Sequence, residues 1–149
     1  MTGSERSGGC MTGKTAPMDG RVLDAGTELP PLAVAPIARS TLALFAGASG
    51  DTNPIHIDLD VARSAGFDDV FAHGMLSMAY LGRLLTGWVP QERILSFGVR
   101  FAAITPVHAQ PTCTGVVSAV EDGVARVDLK VALADGTVTL IGHADIRIG

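Results

Sequence analysis

The chain has 149 residues, 47% of them apolar, with seven aromatics and a formal net charge of −4. That length suits one domain whose core is filled mainly by aliphatic side chains. The acidic balance argues against nucleic-acid and membrane-surface binders, which need basic patches.

Residues 1–20 are rich in Gly, Ser and Thr and lack a continuous apolar stretch. They are expected to form a disordered leader rather than a secretory signal, with Met11 and Met18 as alternative starts. A single domain is expected over 21–149. Pro30 to Ile37 reads as a short first strand or extended segment. Ser40 is the expected N-cap of a helix from Thr41 to Ala48. A second short helix is expected from Leu59 to Ala65, with Asp58 before it and Gly66 after it. Phe67 to Phe71 reads as a loop ending at Ala72-His73-Gly74.

From Met75 to Leu85 the chain is apolar nearly all round, the pattern of a helix buried on every face. Arg83 is the exception and is expected near an end or in solvent. Gly87 and Pro90 are expected to end the helix. The rest alternates with period two. Leu95, Phe97, Val99 and Phe101 form one apolar set. Ala125, Val127, Leu129, Val131 and Leu133 form a second, and Val138, Leu140, Ala144, Ile146 and Ile148 a third. Such runs predict antiparallel strands with one covered face. Asp122-Gly123 and Asp135-Gly136 supply hairpin turns between them. The fold class is therefore α+β, a curved antiparallel sheet around one buried helix. Such a sheet keeps an outer edge that must be protected, and edge-to-edge pairing in a dimer is one solution.

Two cysteines, Cys10 and Cys113, are too few for a disulfide framework, and nothing around Cys113 suggests an activated thiolate. No apolar run approaches a membrane span, and the expected compartment is the cytoplasm. The four His residues show no metal-ligand spacing, and no metal or other cofactor is expected.

The chemistry concentrates in Ser49-Gly50-Asp51-Thr52-Asn53-Pro54-Ile55-His56. An acid and an imidazole five positions apart do not align on one helix face. They suit an irregular loop that aims both groups into one cleft. Asp51 and a neutral His56 can share one water, one group removing a proton and the other supplying one. That pattern points to an enzyme adding or removing water. Asn53 is expected to organise the loop by bonding to backbone, and Pro54 to stiffen it.

The string from Phe45 to Asp58, together with Ala72-His73-Gly74-Met75-Leu76, resembles the MaoC-like branch of the hot-dog fold. This branch holds the (R)-specific enoyl-thioester hydratases and 3-hydroxyacyl-thioester dehydratases. Arg100-Phe101 and Thr105-Pro106-Val107 extend the resemblance, which covers roughly residues 40–148. Within the branch it is similar to catalytic subunits of mycobacterial fatty-acid-elongation dehydratases. One turn departs: many relatives carry Gly-Asp where this chain has His108-Ala109-Gln110.

The resemblance implies a hydro-lyase acting on acyl thioesters of CoA or acyl carrier protein, with Asp51 and His56 as the catalytic pair. The backbone N–H of Gly74 is the implied oxyanion donor, since helix N-termini present unpaired N–H groups. His73 is expected to play a structural part or to lie beside the substrate. Met75, Met78 and Leu81 read as core or as the lining of an acyl tunnel. Arg83, Arg93 and Arg100 are candidates for the cleft mouth. The implied assembly is a homodimer or a heterodimer with a second hot-dog subunit. Two other readings stand beside it. A hot-dog thioesterase would need a carboxylate on the central helix, and Met75 to Leu85 offers none. A non-catalytic acyl-binding partner subunit would tend to lack the Asp/His pair.

Overall fold

The computed structural model describes residues 23–149, so the expected leader at 1–20 lies outside the described residues. Strand β1 (Leu32–Ala33) is followed by α1 (Arg39–Ser49), α2 (Leu59–Ser64) and α3 (Gly74–Trp88). Four strands complete the chain: β2 (Ile94–Phe101), β3 (Thr112–Glu121), β4 (Val124–Ala132) and β5 (Val138–Arg147). All pairings are antiparallel, and the strand order is β1-β3-β4-β5-β2. The sheet curls around α3 as a half-barrel. Its inner face carries Val117, Val127, Leu129, Val131, Leu140, Ala144 and Ile146, all buried.

Helix α1 starts one residue before the expected cap. Its first turn closes on the Ala38 carbonyl, which accepts from Thr41 and Leu42 N–H at 3.0 and 3.3 Å. Ser40 makes no cap bond, and Arg39 at the helix start pairs with Asp69 at 2.6 Å. Gly50 ends α1 in the left-handed region at φ 77°. Asp58 caps α2 as expected, accepting from Asp60 and Val61 N–H at 2.9 and 3.3 Å. Pro54 to His56 forms a single 3₁₀ turn, with Pro at its first position.

Helix α3 runs through Gly87 to Trp88, and Pro90 follows it. It is not buried on every face. Leu76, Tyr80, Leu81, Leu84 and Leu85 recur at helical spacing and face the sheet. On the opposite side Ala79, Arg83 and Thr86 are exposed, and Met75 is 56% exposed. Thr139 departs from the expected alternation. A register shift pairs Leu140 with Val131 but Val138 with Ala132, so Thr139 is the extra residue of a bulge and is fully buried. In the turn that departs from the family pattern, His108 adopts φ 67°, in the left-handed region a Gly fills most easily.

Candidate active site

The loop after α1 is built from local bonds. Ser49 Oγ donates to the Phe45 carbonyl at 2.7 Å and accepts from Asp51 N–H at 3.2 Å. Asp51 Oδ1 accepts from Asn53 N–H at 3.3 Å, and Asn53 Oδ1 accepts from Ile55 N–H at 3.1 Å. These Asx turns lead into the 3₁₀ turn, which ends on His56. The bonding expected of Asn53 is present, and its acceptor role is toward Ile55. Asp51 is exposed, whereas His56 is only 9% exposed.

His56 is oriented from the far side of the cleft. Its Nδ1 lies 2.8 Å from the Phe71 carbonyl, and its ring meets the Phe71 ring edge-on at 4.9 Å. A carbonyl can only accept, so Nδ1 carries a proton, and Nε2 makes no hydrogen bond among the described residues. A carboxylate oxygen of Asp51 and one ring nitrogen from each of His56 and His73 lie within 4.8 Å of one another. No direct side-chain hydrogen bond joins Asp51 to either ring among the described residues. Two hydrogen bonds of about 2.8 Å meeting at one water oxygen at a tetrahedral angle span about 4.6 Å. The 4.8 Å limit leaves room for one water between the carboxylate and an imidazole nitrogen.

The three residues also have the composition of a His₂-carboxylate metal site, which the sequence spacing does not suggest. The rings of His56 and His73 are stacked, with centroids 4.0 Å apart and planes 30° apart. Two imidazoles on one tetrahedral cation splay until their centroids are about 5 Å apart. The observed centroids are closer than that, which disfavours convergent ligation of one cation. Cys113 is fully buried, and that burial pushes its thiol up to about 11, so it is no thiolate nucleophile at neutral pH.

Gly74 is the first residue of α3, and the first N–H of a helix has no intrahelical acceptor. The space a side chain would fill at Gly74 is taken by the Phe101 ring, whose Cε1 lies 2.9 Å from an ideal Cβ position. A cavity of about 290 Å³ opens beside it, lined by Phe71, Gly74, Phe101, Ile104, Thr105 and Leu140. Phe101 and Ile104, which sequence reasoning had not placed near the site, become visible only once β2 is laid beside the helix entrance. Of the expected tunnel residues, Leu81 is fully buried core, Met78 is partly buried and Met75 is open. A larger groove of about 480 Å³ crosses the outer sheet face over Gly98, and neither Asp51 nor His56 lines it. Arg100 borders that groove, while Arg83 lies on the open side of α3. Neither touches the pair.

Residues 24–140 match the model of the MaoC like domain. The chain belongs to the MaoC-like family. It is 32% identical over 118 residues to an (R)-specific enoyl-CoA hydratase of Rhodospirillum rubrum, covering 75% of this chain and 80% of the relative. It is 33% identical over 92 residues to 3-hydroxyacyl-thioester dehydratase Z of Mycobacterium tuberculosis, covering 58% of this chain and 61% of that protein. Among solved structures, the unliganded R-hydratase PhaJ1 of Pseudomonas aeruginosa superposes with a TM-score of 0.76 at 27% identity, covering 85% of this chain and 82% of that one. The fold is the hot-dog fold of MaoC-like hydratases. Among the described residues no helix is long and apolar enough to cross a membrane.

Proposed function

We propose that this MaoC-like chain hydrates trans-2-enoyl thioesters and, in reverse, dehydrates (R)-3-hydroxyacyl thioesters, with Asp51 and His56 as the catalytic pair. The observation that carries the reading is that a carboxylate oxygen of Asp51 and a ring nitrogen of His56 lie within 4.8 Å of each other, close enough for one water to reach both. His56 Nε2 takes a proton from that water while Asp51 accepts its other O–H. The water oxygen bonds to C3, and the π electrons move through C2 onto the thioester oxygen. The N–H of Gly74 stabilises the enolate, and the pair returns a proton to C2. One preorganised donor of this kind is worth about 10²–10³ in rate.

Asp51→Asn and His56→Ala should each abolish hydration of crotonyl-CoA, with circular dichroism and melting curves close to those of the unmodified protein. Near-full rates in both variants would overturn the dyad. The absence of any carboxylate on α3 disfavours the thioesterase reading, and measuring free-thiol release from acyl-CoA separates the two reactions. Presence of the Asp/His pair disfavours a purely acyl-binding subunit. The names of relatives support both carriers, since one is an enoyl-CoA hydratase and another, from Arabidopsis thaliana, a mitochondrial 3-hydroxyacyl-[acyl-carrier-protein] dehydratase. A panel of enoyl chains on CoA and on acyl carrier protein decides between them. The reading includes a cytoplasmic enzyme assembled as a dimer, with itself or with a second hot-dog subunit.

A further inference from the structure

Both members of the pair hang from the short approach to α3. That approach is pinned to the segment after β2: Ala72 N–H donates to the Thr105 carbonyl at 2.9 Å, and Phe71 bridges to Pro106. From it, the Phe71 carbonyl holds His56. The next polar residue is His73, 1% exposed and at the N-cap of α3. A side chain there ordinarily accepts from the first helix amides, and this ring makes no such bond. Its Nε2 instead lies 3.1 Å from the Asp51 carbonyl, 22 residues away. Since a carbonyl only accepts, Nε2 carries the proton. The ring also stacks on His56 and tilts against Phe45 of α1 at 5.0 Å. Asp51's other hydrogen bonds among the described residues reach only Ser49 and Asn53.

We propose that His73 is a positioning residue: by donating Nε2–H to the Asp51 carbonyl while stacked on His56, it fixes the acid, the base and the Gly74 amide relative to one another. This rests on the reading of Asp51 and His56 as the reacting pair. Nδ1 of His73 is buried with no partner, a state that costs stability. An apolar ring packed in its place would carry no such atom. The imidazole is therefore explained by its one donor bond rather than by packing.

Two variants separate the roles. His73→Phe keeps a ring on His56 and removes the donor, whereas His73→Gln keeps an amide N–H close to the Nε2 position. With crotonyl-CoA, the Phe variant is expected to lose on the order of 30-fold in kcat with KM changed by less than about twofold, because misplacement of the reacting groups acts on the chemical step. The Gln variant is expected to stay within about threefold. Equal kcat in the Phe variant and the unmodified protein would overturn the proposal, as would a Gln variant as slow as the Phe variant. A second readout needs neither variants nor turnover. Long-range ¹⁵N spectra of the imidazoles in the unmodified protein should show His73 protonated at Nε2 and bare at Nδ1. The opposite tautomer would sink the tether. If the unmodified protein hydrates no enoyl thioester, the proposed function fails, and these spectra still decide whether His73 holds the loop.

Discussion

At Gly74 a single backbone N–H can be removed without removing the helix. Proline is tolerated at the first helical position, and His73 before it already has the extended backbone a proline demands, at φ −54° and ψ 135°. Gly74→Ala adds only a Cβ, and the Phe101 ring end it meets is able to swing away. Gly74→Pro adds the same Cβ, closes a ring through Cγ and Cδ onto the nitrogen, and deletes the N–H. We expect the Pro variant to fall about 100-fold or more below the Ala variant in kcat, with both melting cooperatively. Equal rates would remove the amide from the reaction. The pair itself was legible because acid, Asx residue, proline and imidazole are packed into six consecutive positions. The tautomer of His56 was not, because it is set by a carbonyl 15 residues away. The stack on His73 joins rings 17 positions apart, a distance no local spacing rule covers.

The sheet elements show a similar division. The alternation in β2, β4 and most of β5 was plain, whereas β3 is muted by small residues on its inner face. Gly115 is one: a Cβ there would meet Leu29 and Leu129 at 3.0 and 3.2 Å. The Thr139 bulge was invisible because polarity alone assigned the residue to the solvent face. Gly142 and Gly98 make a sharp comparison on neighbouring strands. A Cβ at Gly142 would sit 2.3 Å from the Gly98 carbonyl oxygen, which is backbone and cannot yield cheaply, while a Cβ at Gly98 meets nothing within 4 Å. Gly142→Ala should therefore cost about 2–3 kcal/mol or prevent folding, and Gly98→Ala should change urea stability by less than about 0.5 kcal/mol.

On the outer face, Asp145 accepts from Arg126 at 3.0 Å and from Ser96 at 2.7 Å. These bonds hold its carboxyl below the ordinary carboxylate value. A lowered folded-state pKa means that the stabilisation is present above the unfolded value of about 3.9 and is lost as pH falls through the folded one. Asp145→Asn should therefore melt lower than the unmodified protein at pH 7. The gap should narrow toward pH 3, and thermal scans across that range test it.

For the whole molecule, the free edge of the sheet decides most. Strand β2 is an edge, and its exposed apolar residues Leu95 and Phe101 stand equally far from Gly98 on either side. A two-fold axis at Gly98 would set Leu95 of one copy across from Phe101 of the other. On this arrangement light scattering should report twice the 15.3 kDa chain mass, and Leu95→Lys should lower it toward one. A stable single-chain mass for the unmodified protein would shift the expectation to an unlike partner. The curved sheet around one helix was readable from alternation and turn residues. The open side of α3 was not, because a run apolar all round says that a surface is covered without saying by which chain.

Phe101 belongs at once to that free edge and to the entrance of α3, where its ring lies against Gly74. Whatever docks along the edge leans on the side chain that sets the headroom above this amide. If the chain binds acyl thioesters as proposed, a change of companion would alter the space beside Gly74 for the acyl group, with the sequence of this polypeptide unaltered.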